Sequence, residues 1–384
     1  HGFYSGSAFI EDDTIHYFYT GNLKYFDRDD YDYINSGRGS NTITFTSKDG
    51  YEFTKKELLM TTDDYPADMS NHVRDPKIFK KNEKYYMVLG ARDVEGVGMI
   101  LLYESTDLKN WTYRVESEKP FGYMWECPDL FEMDGQLYII CCPQGVETQG
   151  IDYENVHQVT AMKLDYDFDT DKYEITDIKL FDRGFDFYAP QSFEDESGRR
   201  ILIGWMGIPD ADYTNPTEEA GWQHALTIPR ELSVRDGKLI QEPIEELKQL
   251  RSEDKAVCTF CYGQTIIMQN AIYEAVVDFK RCREMVMTLR EGITLSYKDN
   301  ILTLNLGVYG SGRSTRKVRL EKLEHLQIFA DTSSLEIFVN HGEEVFTTRI
   351  YNHYGRLLIN GECSGIMTVY PLKSFEIEGG RHEE

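Results

Sequence analysis

Four segments of the chain share one format: a short apolar run, an acidic or Lys/Gly turn, and a second apolar run. They are SGSAFIEDDTIHYFYTG (5–21), DPKIFKKNEKYYMVLGA (75–91), CPDLFEMDGQLYIICCP (127–143) and APQSFEDESGRRILIGW (189–205). Pro76, Pro128 and Pro190 hold the same place in three of them, 52 and then 62 residues apart. A second pair supports the period, because SKDGYEFT (47–54) and STDLKNWT (105–112) both read Ser-x-Asp-x-x-x-aromatic-Thr. Repeats of roughly 50–60 residues, with room for four short strands each, have the spacing of β-propeller blades. Solenoid repeats are shorter or helical, and a sandwich gives no reason for Pro-bearing repeats at this interval. The expectation is an all-β chain whose residues 1–240 form a propeller.

Near Pro243 the texture changes. EPIEELKQLRSE (242–253) spaces Ile244, Leu247 and Leu250 by three, which predicts a short amphipathic helix in a linker over 241–257. From 258 to 378 the alternating runs ITLSY, ILTLNLG, LQIFA, LEIFV and VFTTRIY predict a second all-β domain, a sandwich, with Asn340-His341-Gly342 as a turn between two strands. The basic run GRSTRKVRLEK (312–322) reads as a solvated strand face, and residues 379–384 as a tail.

Two domains also suit the length of 384 residues. Lys and Arg number 41 against 66 Asp and Glu, a net charge of −25 that argues against nucleic acid and anionic membrane as partners. No stretch approaches the roughly 18 consecutive apolar residues of a spanning helix. The seven cysteines are odd in number and thinly spread, so they read as reduced thiols of a cytoplasmic protein. Cys258-Thr-Phe-Cys261 has zinc-like spacing without a second Cys/His pair, and no metal or cofactor is expected.

Residues at the innermost strand of each blade converge on one cavity, and several acids lie at or just before the repeated Pro. They are Asp75, Glu126, Asp129 and Asp186, with Arg74 beside Asp75 and Trp205 near the end of the fourth repeat. Convergent carboxylates with aromatic walls are what glycosidic cleavage needs: one proton donor to the leaving oxygen, and one group to stabilise or attack the oxocarbenium-like centre. Asp before Pro also caps turns. On pattern alone, a sugar site and a set of turn-capping acids are about equally open.

At these residues the sequence resembles glycoside hydrolase family 32, the invertases and sucrose-6-phosphate hydrolases. YSGSAF (4–9) resembles the family's FSGSA motif with Tyr4 for Phe, RDPKIF (74–79) its RDP motif, and ECPDLF (126–131) its EC-P-D motif. GFDFYAPQSF with GRRILIGWMG, ALTIPRELSV, and DTSSLEIFVNHGEEVFTTRIY resemble its late propeller, junction and sandwich signatures. The resemblance implies a five-bladed propeller followed by a β-sandwich, and a metal-free retaining cleavage of β-fructofuranosides. It implies Glu126 as general acid/base and Asp75 as transition-state stabiliser with Arg74 on the fructose hydroxyls. Tyr4 and Ser5 would also contact the sugar, and Trp205 would wall the pocket. On this reading Glu126 is held protonated by an apolar setting beside Trp125, while Asp75 stays ionised beside Arg74.

The family's nucleophile is the Asp of a Trp-Met-Asn-Asp-Pro-Asn-Gly run in the first blade, and the present sequence, which begins at His1, contains no such run. The expectation is that most of the first blade, with its nucleophile, lies outside these residues. Two rival readings share the scaffold: a sugar-binding remnant that does not cleave, and a fructan hydrolase or fructosyltransferase. Phosphate recognition would need a cation at the pocket mouth, and the sequence does not place His224, Lys24 or Arg92 there.

Overall fold

The computed structural model describes residues 2–27, 29–118, 121–263, 271–352 and 355–374, with no side-chain account of 116–118. The 379–384 tail and residues 375–378 lie outside the described residues. The chain divides into two compact units, one of residues 1–181 with 188–192, the other of 182–187 with 193–384.

In the first unit the repeat becomes three antiparallel four-stranded meanders. The first comprises β1 (Gly2–Glu11), β2 (Thr14–Lys24), β3 (Arg38–Ser47) and β4 (Glu57–Met60); the second β5 (Met69–Lys81), β6 (Lys84–Asp93), β7 (Gly98–Ser105) and β8 (Thr112–Glu118). The third comprises β9 (Met124–Met133), β10 (Gln136–Gln144), β11 (Thr160–Tyr166) and β12 (Tyr173–Leu180). A fourth sheet of the same order follows, with β13 (Tyr188–Glu194), β14 (Arg200–Trp205), β15 (Arg230–Arg235) and β16 (Lys238–Pro243). Sequential four-stranded meanders are propeller blades, and four stand among the described residues.

Blade-on-blade packing explains the apolar runs. On β6, Met87, Leu89 and Ala91 enter one core with Phe18, Val73 and Ile78, while Tyr86 and Val88 enter another with Trp125, Leu130 and Ile139. A strand buried on both faces shows no polar alternation. The paired Ser-x-Asp segments are equivalent in detail. Ser47 Oγ meets Asp49 Oδ1 at 3.1 Å and Ser105 Oγ meets Asp107 Oδ1 at 3.0 Å, at the ends of β3 and β7. Each Asp then accepts two backbone N–H groups, from Tyr51 and Glu52 in one case and Lys109 and Asn110 in the other. These bonds stabilise the charged form and hold both carboxyls below the usual range.

The second unit contains a six-stranded sheet and a five-stranded sheet. The larger is built from β17 (Ala256–Cys261), β18 (Tyr273–Cys282), β23 (His325–Asp331), β24 (Ser334–Val339), β25 (Glu344–Arg349) and β27 (Cys363–Pro371). The smaller comprises β19 (Met285–Arg290), β20 (Ile293–Lys298), β21 (Ile301–Asn305), β22 (Thr315–Arg319) and β26 (Gly355–Asn360). One apolar core, including Val277, Leu295, Leu304, Ile328 and Ile337, fills the space between them, as a sandwich requires. Asn340, His341 and Gly342 all take positive φ in the turn from β24 to β25.

Two expectations change in this unit. The helix over Glu245–Leu250 is 3₁₀, so apolar residues three apart match its three residues per turn, and Leu247 packs on Phe329, Phe338 and Val345. The basic run is not all solvated, because Arg313 is buried and paired with Asp186. Cys258 and Cys261 stand three apart on β17 and therefore on opposite faces, unlike zinc ligands. No described helix is long and apolar enough to cross a membrane.

Candidate active site

The opening strand of each blade in the first unit carries a bulge. Register slips at Ser5 in β1, at Asp75–Pro76 in β5, and at Cys127–Pro128 in β9. The residue before each repeated Pro sits in the left-handed region, with φ of 64° at Asp75, 49° at Cys127 and 46° at Ala189. Non-glycine residues there cost on the order of 1–3 kcal/mol each and persist only where the surroundings impose them. Bulges re-aim side chains, and these are tied to one another. The Asp75 N–H donates to Thr20 Oγ1 at 2.9 Å, and the Cys127 N–H donates to Asp75 Oδ2 at 2.9 Å.

The consequence appears two residues before each Pro, where Arg74, Glu126 and Tyr188 meet. Arg74 Nη2 donates to Glu126 Oε1 at 2.6 Å, and the Tyr188 hydroxyl donates to Glu126 Oε2 at 2.7 Å. Gln144 Nε2 adds a third bond to Oε2 at 2.8 Å. Asp75 Oδ2 lies 3.9 Å from Arg74 Nε. The Glu126 side chain is 17% exposed against 6% for Asp75, so Glu126 is the carboxyl a solute reaches more readily.

Charge balance in the cluster follows from burial. Burial pushes the Asp75 carboxyl up; Arg74 opposes the shift and Glu126 adds to it. Burial also works against the Arg74 charge, but Glu126 and Asp75 outweigh it and hold that pKa above the usual value. Behind Arg74, His72 Nδ1 accepts from Nη1 at 2.9 Å, while Arg38 Nη1 stands 3.5 Å from Nε2. Burial, then the two guanidinium groups, push His72 down to about 3, so it is neutral and can accept that bond. Arg38 is held by Asn22 Oδ1 at 2.6 Å and by the Tyr33 hydroxyl at 3.1 Å, and its guanidinium lies 5.3 Å from the Tyr4 ring centroid. Burial, then Cys142 and Glu126, hold the Tyr188 phenol protonated.

Both halves of this architecture match one known family. The description "Glycosyl hydrolases family 32 N-terminal domain" fits residues 1–243, and "Glycosyl hydrolases family 32 C terminal" fits residues 259–369. The chain belongs to glycosyl hydrolase family 32. It is 35% identical to a sucrose-6-phosphate hydrolase of Staphylococcus xylosus over 99% of this chain and 78% of the relative. It is likewise 35% identical to one of Bacillus subtilis (strain 168), over 95% and 77%. The structure of sucrose-6-phosphate hydrolase from Lactobacillus gasseri superposes with a TM-score of 0.84 at 27% identity, covering 97% of this chain and 79% of that one. A Bombyx mori family 32 β-fructofuranosidase variant solved in complex with sucrose gives 0.81 at 28% identity, with the same coverages.

In this family 32 chain, Asp75, Arg74 and Glu126 are brought together, and Tyr4 joins them through Arg38 and His72. Ser5 is exposed at the β1 bulge. Trp205 belongs to the second unit, where its indole N–H points at His224 Nδ1, 3.1 Å away. Two further acids take structural roles. Asp129 is fully buried, accepting the Ser192 N–H at 2.6 Å and pairing with Lys77 at 3.2 Å. Asp186 is buried in the second unit, bound by Arg313, Tyr213, the Thr348 hydroxyl and the Arg349 N–H. The apolar setting expected beside Trp125 is absent. That ring lies in the inter-blade core, its N–H bonded to the Phe121 carbonyl at 2.7 Å, and Glu126 faces three donors instead.

Tyr188, Gln144 and His72 were not read from the sequence. Tyr188 had a signal: it stands where Arg74 and Glu126 stand, two residues before a repeated Pro. Gln144 had none, because only the β9–β10 pairing places it opposite Met124 and near Glu126.

Proposed function

We propose that this site cleaves β-fructofuranosides, with sucrose or sucrose-6-phosphate as substrate. The observation that supports the reading is the joint anchoring of Glu126 and Asp75 to Arg74 across two bulged inner strands. Glu126, the more accessible carboxyl, exchanges a proton with the glycosidic oxygen. Asp75, buried and fixed by the Cys127 N–H, holds fructose hydroxyls and stabilises positive charge developing on the ring. The attacking carboxylate of a retaining mechanism is assigned, by family resemblance, to an Asn-Asp-Pro run that these 384 residues do not contain. Release of glucose or its 6-phosphate, together with β-fructose as the first anomer, from a protein that carries this chain and such a run tests the proposal. α-Fructose as the first product would rule out retention.

A second reading is that the 384 residues bind fructosides without cleaving them. Fructose titrated by calorimetry against this chain, with glucose release from sucrose assayed alongside, separates the two; binding without turnover supports the second.

In a protein that carries this chain and the Asn-Asp-Pro run, Asp75→Asn should lower turnover by about 10²–10³-fold, the usual cost of one preorganised electrostatic contact. The same change should raise the thermal midpoint at neutral pH. Asp75 has a folded pKa above its unfolded value, so its contribution to stability is present below the unfolded pKa and is lost as pH rises through the folded one. The gap between variant and parent should therefore open with rising pH. A midpoint difference independent of pH would refute this account of Asp75.

A further inference from the structure

We propose that Arg92 is the anchor for the phosphoryl group of a sugar-phosphate substrate; this rests on the fructoside reading above and specifies its leaving group. Arg92 stands at the end of β6, and its backbone is tied to the strand that carries Arg74. Its carbonyl accepts from Ser70 Oγ at 2.7 Å, and Ser70 Oγ in turn accepts the His72 N–H at 3.2 Å. On its other side the guanidinium lies 4.9 Å from the ring centroid of Tyr123, immediately before β9. The Tyr123 N–H donates to the Gln144 carbonyl at 2.8 Å, and Gln144 holds Glu126. Arg92 is thus linked to the carboxylate cluster from two adjacent blades, through Ser70 and His72 on one and Tyr123 and Gln144 on the other.

Among the described residues the Arg92 guanidinium makes no hydrogen bond or ion pair, although it acts at a distance on Asp32. Its Nε is buried without an acceptor. Arg74, by contrast, is paired with Glu126. The nearby acid Asp32 already accepts the Ile34 N–H at 2.8 Å and the Asn35 side chain at 2.9 Å. Arg38 also lacks a carboxylate within ion-pairing distance among the described residues, and both arginines act electrostatically on His72. Two guanidiniums with no carboxylate partner among the described residues, beside a sugar site, are conspicuous in a chain of net charge −25. With screening over about 8 Å, distant acids weigh little against a contact at the guanidinium edge. The Tyr123 ring, 4.9 Å away, supports that group, and a guanidinium can meet two phosphate oxygens in the fork geometry lysine lacks.

Calorimetric titrations of this chain with glucose 6-phosphate, glucose, inorganic phosphate and fructose test the assignment. Glucose 6-phosphate should bind about tenfold or more tightly than glucose. Arg92→Gln should erase that preference, and Arg92→Lys should restore only part of it, with circular dichroism confirming that both variants fold. Equal affinity for the two sugars, or a preference that survives in Arg92→Gln, overturns the proposal. Inorganic phosphate binding as tightly as glucose 6-phosphate would mark an anion site unconnected with the sugar and overturn it too. Failure of fructose to bind would instead remove the fructoside reading, whatever the phosphate result.

Discussion

In a protein that carries this chain together with the Asn-Asp-Pro run, Glu126→Gln should lower sucrose turnover by about 10²–10⁴-fold, the range for loss of a general acid. The amide keeps the shape, and its oxygen can still accept from Arg74. Its NH₂ then faces the Tyr188 hydroxyl and the Gln144 amide, both of which donate to Glu126 in the parent protein. Leaving those donors unsatisfied should cost about 1–3 kcal/mol of stability as well. A merely structural Glu126 would produce that second effect alone. The distinguishing substrate is a fructoside whose leaving group needs no proton, such as fluoride. If Glu126 donates the proton, the variant should lose far less activity on the fluoride than on sucrose. Equal losses on both substrates would remove Glu126 from the proton transfer.

In the second unit, Arg230→Met should destabilise the fold by about 3–5 kcal/mol, the cost of breaking a buried ion pair from one side. Arg230 is fully buried and donates to Gln241 Oε1 at 2.9 Å, Glu336 Oε2 at 2.7 Å and the Thr347 hydroxyl at 2.6 Å, with Asp182 at 3.3 Å. Methionine keeps much of the packing on Phe187 and Phe338 but leaves two buried carboxylates without their cation. Burial already raises both pKa values, and Arg230 is the main opposing influence. Acids raised in this way contribute stability below their unfolded pKa and lose it as pH rises through the folded one. Removing Arg230 raises them further, so the deficit should be larger at neutral pH than near the unfolded carboxylate values of about 4. Urea midpoints measured across that range check the slope. A deficit that does not change with pH would show that lost packing, not uncompensated charge, sets the cost.

The two carboxyls were legible in the sequence because the repeat aligns them near a Pro, yet their setting was not. Equivalence counts from the proline: Arg74, Glu126 and Tyr188 are two residues away and converge, whereas Asp186 is four away and joins the second unit. Trp125 looked like a neighbour of Glu126 because it adjoins it in sequence. On a strand, adjacent side chains leave by opposite faces, and Trp125 went to the core. Arg313 looked solvated because a basic run carries no mark of the acid that will face it, here Asp186, 127 residues earlier.

The residues by themselves determined the all-β class, the blade period, the Ser-x-Asp turns and the identity of the acids near each Pro. All of these depend on interactions within a few residues or on a period that survives along the chain. Only the tertiary structure decided which acids face one another, that His72 is neutral between two arginines, and that Arg92 has no ion-pairing carboxylate among the described residues. Those outcomes depend on burial and on charges brought together from separate strands. A linear sequence carries neither.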